Sequence, residues 1–273
     1  MKTMILTNVP CFAIFSVAFS QLIATLGFAP ATRASSLVPP SNEYAIEFHP
    51  PENRGAPDVA VGGATRCLPQ FTPLVPHDFS KDYGDLSSPH FGLTVRPNPT
   101  FFVSLDSRKI QEIYFEIYEY DTEERGNDGD LVYETSREFN GLERRQQGAI
   151  GINLPPDVTL ESGKLYRWYL DAVTGGDAVE VVSDSGWIER VEVSPDLGWQ
   201  LITAKTPLDR AQVYAEAGIW HDAFDILARE RRLDDTRELK EEWEELLTSA
   251  GFPEHLAKTP LLDRGGDRRS EPR

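Results

Sequence analysis

Between residues 98 and 194, apolar and polar positions alternate in short runs separated by turn residues. Thr100 to Leu105 opens the series, and Gln111 to Tyr120 follows with Ile113, Phe115 and Ile117 on one face. Leu131 to Ser136 comes after Asn127-Asp128-Gly129-Asp130, where Asp-Gly is a strong hairpin signal. Ala149 to Leu154, Lys164 to Val173, Ala178 to Ser183 and Gly186 to Val193 complete seven runs. A strand points successive side chains to opposite faces, so each run has one face to bury and two sheets can cover each other. Seven strands at this spacing predict an immunoglobulin/fibronectin-like β-sandwich. Inside it, Leu160-Glu161-Ser162-Gly163-Lys164-Leu165-Tyr166 has the spacing of a tyrosine corner, whose hydroxyl bonds upstream backbone. Trp168 is then the core-filling aromatic.

From Pro195 the period lengthens from two to about 3.6 residues. Thr206-Pro207-Leu208-Asp209 reads as a helix start, with Thr as N-cap and Asp closing a capping box. Leu208, Ala211, Ala215 and Ile219 then face inward. Trp220, Ala223, Phe224, Leu227 and Ala228 mark a second helix. Asp235-Thr236-Arg237-Glu238 opens a third, carrying Leu239, Trp243, Leu246 and Leu247 on one side. The fold class expected is mainly β with C-terminal α, a sandwich followed by a three-helix tail. The first two helices resemble one tetratricopeptide hairpin through Tyr214, Gly218, Trp220, Ala223 and Leu227, with Glu230 standing where the repeat wants Ala. A single repeat cannot bury its own face, so this hairpin packs on its own chain or on a partner.

The flanks differ in texture. Residues 35–97 are rich in Pro and Gly with short apolar islands, which predicts irregular or edge-strand structure lying on the sandwich. Residues 258–273 turn polar and read as a disordered tail. Residues 1–34 hold no Asp or Glu, open on Lys2, and run apolar from Val9 to Ala29. With small-residue exits near Ala31 and Ala34, this is the pattern of a cleaved export signal, and it places the protein in the periplasm or outside the cell. The rival reading is a retained anchor, which Ser16, Ser20, Gln21, Thr25 and Gly27 dilute. The domain order expected is therefore 1–34 signal, 35–97 packing segment, 98–194 sandwich, 195–257 helices and 258–273 tail.

Charge narrows the partners. The 273-residue chain carries a net charge of −17. Lys2 and Arg33 are the charged residues of the leader, so cleavage leaves 25 Lys+Arg against 44 Asp+Glu, a net −19. Such a surface repels phosphate backbones and anionic lipid, which argues against nucleic acid and against membrane insertion after cleavage. Once the leader is gone Cys67 is the remaining cysteine and cannot form an internal disulfide. It reads as a buried thiol sooner than a nucleophile.

Chemical motifs are sparse. His49, His77, His90, His221 and His255 are scattered without metal-ligand spacing, so no metal or cofactor is expected. Gly62-Gly63-Ala64-Thr65-Arg66 lacks the helix start that a phosphate loop needs. The acidic run with Asp121, Glu123, Asp128 and Asp130 departs from a calcium loop, with Arg125 at its fifth position and Val132 where the bidentate Glu belongs. No catalytic residue is proposed on these grounds. Two surfaces remain as candidates. One is an exposed apolar groove at Trp220, Phe224 and Trp243 for a protein partner. The other is an aromatic stripe of Tyr114, Tyr118 and Tyr120, opposite Ile113, Phe115 and Ile117, which either stacks on sugars or on a partner, or is covered by residues 35–98.

Read as an ordered series, several motifs resemble a known family. They are Phe48-His49-Pro50-Pro51, Gly55-Ala56-Pro57, Gly62-Gly63-Ala64-Thr65-Arg66-Cys67, Pro99-Thr100-Phe101-Phe102, Gly163-Lys164-Leu165-Tyr166-Arg167-Trp168-Tyr169 and Gly186-Trp187-Ile188-Glu189-Arg190. With Tyr214 to Trp220 and Trp243, they resemble the cyanobacterial domain-of-unknown-function family numbered 928, over about residues 46–252. The resemblance implies an exported cyanobacterial protein and adds no catalytic residue. Family members often carry a second cysteine after the Trp-Tyr strand, where this chain has Val173-Thr174-Gly175. On that resemblance Cys67 is the remaining half of a pair. The expectation that results is an exported, non-catalytic protein-interaction or structural module, with carbohydrate or cell-envelope binding as the alternative and hydrolase chemistry at Cys67 behind both.

Overall fold

Alternating apolar positions along the chain assemble into two sheets that share one core. The computed structural model describes residues 45–57, 71–78, 80, 88–120, 128–139, 146–175 and 179–262. The leader, Cys67, Gly62 to Arg66, and Asp121 to Asn127 lie outside these residues. The strands are β1 (Phe71–Pro73), β2 (His90–Thr94), β3 (Thr100–Asp106), β4 (Ile110–Tyr120), β5 (Asp128–Glu138), β6 (Gln147–Asn153), β7 (Leu165–Thr174) and β8 (Val181–Arg190). One sheet has the order β1-β3-β6 and the other β2-β8-β7-β4-β5. All pairings are antiparallel except β2 with β8. Phe71, Phe101, Val103 and Leu105 of the small sheet meet Phe115, Ile117, Trp168 and Ile188 of the large one in a single buried cluster. The rings of Phe101 and Phe115 lie 4.7 Å apart. The mainly β class with C-terminal helices is therefore the observed one.

Helices add a third layer. They are α1 (Pro195–Thr203), α2 (Pro207–Glu216), α3 (Trp220–Leu233), α4 (Arg237–Ser249) and the four-residue α5 (Glu254–Ala257). The small sheet is covered on both sides, which is why every residue of β3 is buried. Phe101 points into the intersheet core, while its neighbour Phe102 points to the helices and meets Phe224 edge-on at 4.9 Å. A strand buried on both faces carries consecutive apolar residues, as Phe101-Phe102-Val103 does at the centre of β3.

Several expected elements are found with the expected chemistry. Thr206 caps α2, and the reciprocal capping box with Asp209 is formed. Thr236 caps α4 by accepting from the Leu239 amide. The Tyr166 hydroxyl accepts from the Glu161 amide at 2.7 Å, as a tyrosine corner requires, and Trp168 is 1% exposed in the core.

Four features differ from expectation. The runs Ala178 to Ser183 and Gly186 to Val193 are one strand, β8. Asp184-Ser185-Gly186 reads as a turn, but Gly186 leaves room for an indole: a Cβ there would lie 2.3 Å from Cζ2 of Trp168. Five helices stand where three were expected among the described residues. Helix α1 escapes the periodicity because Trp199 and Ile202 face solvent, although Ser194 caps it by accepting from Leu197 N. The described residues between 45 and 97, which include the edge strands β1 and β2, reach past the sandwich: Ile46 and Phe48 enter the helical core, where Phe48 N donates to Ser249 Oγ and Ile46 N to Glu242 Oε2. Residues 259–262 of the expected tail lie along β6, with the Leu262 amide donating to Ala149 O at 2.9 Å.

Gly218 fixes the α2–α3 turn. Its φ is +72°, and a Cβ would stand 2.9 Å from Pro51 N, so the turn and the chain crossing beside it both require glycine.

Candidate functional site: the outer face of the large sheet

The three residues expected to form a partner groove are core residues. Trp220 and Trp243 are 1% exposed and Phe224 is 0% exposed. Trp220 stacks on Phe224 at 5.0 Å and donates its indole N–H to Leu74 O at 2.8 Å. Phe224 packs on Trp243 at 4.3 Å, and Arg231 lies 4.7 Å above the Trp243 ring. The tetratricopeptide-like spacing thus serves internal packing: it closes the helices onto β3, so the expected groove at Trp220, Phe224 and Trp243 does not exist.

The tyrosine stripe divides. Tyr120 is 8% exposed, sealed edge-on against Trp187 at 4.7 Å in a cluster with Phe91, Leu93, Leu197 and Ile219. The β2–β8 side of the outer face is therefore covered by α1 and the α2–α3 turn. Over β7, β4 and β5 the same face is open. Tyr114 is 42% exposed and Tyr118 half-buried.

The sequence builds this face by a repeat. Glu112-Ile113-Tyr114 and Glu116-Ile117-Tyr118 place both isoleucines in the core and alternate carboxylate and phenol on the outside. Register then sets the neighbours. Tyr114 lies between Asp171 and Ser136, Glu116 between Tyr169 and Glu134, and Tyr118 between Arg167 and Leu131. The result is a checkerboard of rings and carboxylates.

Each phenol is tied to a carboxylate. Tyr118 donates to Glu116 Oε2 at 2.9 Å and Tyr169 to Asp128 Oδ2 at 2.6 Å. A hydrogen bond to Glu112 raises the pKa of Tyr114, and the bond to Glu116 does the same for Tyr118. Burial, then the bond to Asp128, raises Tyr169. All three phenols thus stay neutral donors at ordinary pH. Arg167 lies across the face with its guanidinium carbon 4.8 Å from the Tyr169 ring and 5.3 Å from the Trp187 ring, near Asp128 at 3.6 Å. Tyr118 meets Tyr169 edge-on at 5.9 Å.

Two further groupings were not legible in the sequence. His77 and His90 stack at 4.4 Å, with Nδ1 of His90 on Val75 O and Nε2 of His90 3.6 Å from Asp184. Burial, then the neighbouring His90, lowers the pKa of His77. His77 lines a small cleft with Pro50, Pro51, Arg54 and Phe91. Among the described residues no three His, Cys, Asp or Glu side chains are arranged to hold a metal ion. On α1, Trp199 (69% exposed) and Ile202 (78%) face solvent, the one tryptophan of the chain that does not enter the core. Among the described residues no helix is long and apolar enough to cross a membrane.

Comparison with known proteins adds family and little chemistry. No curated protein matches the chain. A solved structure of a polysaccharide monooxygenase CBM33 is similar over 37% of this chain and 60% of that one, at 15% identity and a TM-score of 0.22, too low to carry an argument. The model of a Domain of Unknown Function (DUF928) matches residues 55–261, which takes in both sheets and the helical layer. The chain therefore belongs to the DUF928 family.

Proposed function

We propose that this DUF928 protein is an exported, non-catalytic module that docks a protein partner through the outer face of β7, β4 and β5. The observation that carries the reading is the repeated Glu-Ile-Tyr, which sets the exposed Tyr114, the half-buried Tyr118 and the partly exposed Glu112 and Glu116 on one open face while its isoleucines fill the core. Solvent-facing rings beside hydrogen-bonding groups are the usual anchors of a binding surface. Export is supported by the acid-free apolar leader, and a cyanobacterial source by the motif series. The α2–α3 pair, with its tetratricopeptide-like spacing, acts in this reading as an internal brace.

The test is capture of partners from a periplasmic extract by the tagged exported chain and by its Tyr114→Ala/Tyr118→Ala variant. The reading expects a partner retained by the wild type and lost from the variant at unchanged thermal stability. Equal capture by both would refute it. A second reading, glycan binding at the same face, is favoured by the openness of the Tyr114 ring, and predicts retention on peptidoglycan or another envelope glycan that the same variant loses.

A further inference from the structure

The open face is built in a way that stability alone does not explain. Glu116 stands directly across from Glu134 in the β4–β5 register, a like-charge pair that weakens a sheet. Charge on an edge strand guards against edge-to-edge pairing, and β5 is an edge. That protection accounts for Glu134, but β4 is interior to the sheet and still presents Glu112 and Glu116. Their phenol neighbours already donate their hydroxyl hydrogens to carboxylates. The face therefore offers a ligand carboxylate oxygens and aromatic π surface, with Arg167 already engaged at its margin.

Such a surface is complementary to cations. The chain demonstrates the chemistry on itself: Arg167 lies over Tyr169 and Trp187 and beside Asp128. Ring, carboxylate and guanidinium make one cation site that is occupied from within the chain. Tyr114 with Glu112 and Asp171, and Tyr118 with Glu116, repeat the ring-and-carboxylate arrangement, and among the described residues no Lys or Arg is seated over these two rings.

Resting on the docking face proposed above, we infer that its partner presents a cationic segment whose lysine or arginine side chains seat over Tyr114 and Tyr118 between the carboxylates. Alternate side chains of an extended strand lie about 6.6 Å apart, so Tyr114 and Tyr118, four residues apart on β4, stand about 13 Å apart; a peptide running along β4 with cations at every second residue places every other cation over a ring and the one between them over Glu116.

The test is calorimetric titration of the exported chain with three probes: a twelve-residue Lys-Gly repeat, its Glu-Gly counterpart, and a neutral β-1,4-glucan oligosaccharide. Expected is saturable binding of the lysine peptide alone, weakened as salt rises from about 0.05 to 0.3 M. Glu116→Gln and Tyr114→Ala should each weaken it about five- to tenfold, whereas Glu244→Gln/Glu245→Gln on the acidic α4 should change it less than about twofold. Failure to bind the lysine peptide overturns the inference, as does an equal effect of all three variants, which would mean bulk charge alone. Glucan binding that depends on Tyr114 would assign the face to a glycan. If the extract partner is lost from Tyr114→Ala/Tyr118→Ala but the lysine peptide fails to displace it, the docking face stands and the cationic ligand falls.

Discussion

Replacing Asp222 by asparagine should convert a nearly balanced pH response into a steep one. Asp222 and its neighbour His221 sit where α3 meets the ends of β2 and β3. Oδ2 of Asp222 accepts from Thr94 Oγ1 at 2.8 Å and from the Val95 amide at 3.0 Å, while Oδ1 is buried without a partner. Burial raises Asp222 from 3.8 to about 6 and lowers His221 from 6.5 to about 4. The signs oppose. As pH falls through 6, folded Asp222 takes up its proton before the unfolded chain does, so stability rises until pH 3.8. As pH falls below 6.5, the unfolded chain protonates its histidine first, so His221 removes stability until about pH 4. At about 1.4 kcal/mol per pH unit, each is worth about 3 kcal/mol, and the two nearly cancel between pH 6.5 and 4.

The asparagine side chain keeps an oxygen for Thr94 and Val95 and removes the buried charge. Relative to wild type, Asp222→Asn should be more stable by up to about 3 kcal/mol at pH 7, with the advantage vanishing near pH 4. His221→Phe should show the reverse trend, its deficit at pH 7 shrinking on acidification. Urea unfolding from pH 4 to 7, followed by the fluorescence of buried Trp168, Trp187, Trp220 and Trp243, reads both. A difference curve between Asp222→Asn and wild type that stays flat with pH would refute the burial argument.

Three other substitutions test the frame that holds the proposed docking face. Gly186→Ala should lower stability by about 2 kcal/mol in thermal melting, because its Cβ would meet the Trp168 indole and His90 Cβ in a packed core. Tyr166→Phe removes the acceptor of the Glu161 amide and should cost about 1–2 kcal/mol in urea unfolding, with the circular dichroism spectrum unchanged. Thr206→Ala breaks the capping box of α2 and should cost about 1 kcal/mol by the same measure.

What the sequence reveals depends on how local the cause is. Capping at Thr206 and Thr236 and the corner at Tyr166 are set by residues within a turn of one another, so spacing alone displays them. Strand β8 is misread because Gly186 answers to Trp168, eighteen positions away in the chain and directly opposite in register. Helix α1 is missed because its exposed Trp199 and Ile202 blur the apolar stripe that marks a helix. The site shows the same limit. Glu-Ile-Tyr repeats are visible in the sequence, yet Tyr120 is closed by Trp187 and Leu197 while Tyr114 stays open, a difference made by the placement of α1. Trp220, Phe224 and Trp243 have the composition of a docking groove, and the small sheet with Phe102 and Leu74 occupies it from within.

Site-specific photo-crosslinking tests the docking face most directly. Ser136 is exposed beside Tyr114 on β5, and Lys240 is exposed on α4 away from the face. With a photoreactive phenylalanine derivative at each position in turn, irradiation in the native cell should yield a protein adduct from position 136 that is lost when Tyr114→Ala is added, and none from position 240. Adducts from position 240 alone, or an adduct at 136 indifferent to Tyr114→Ala, would contradict the account.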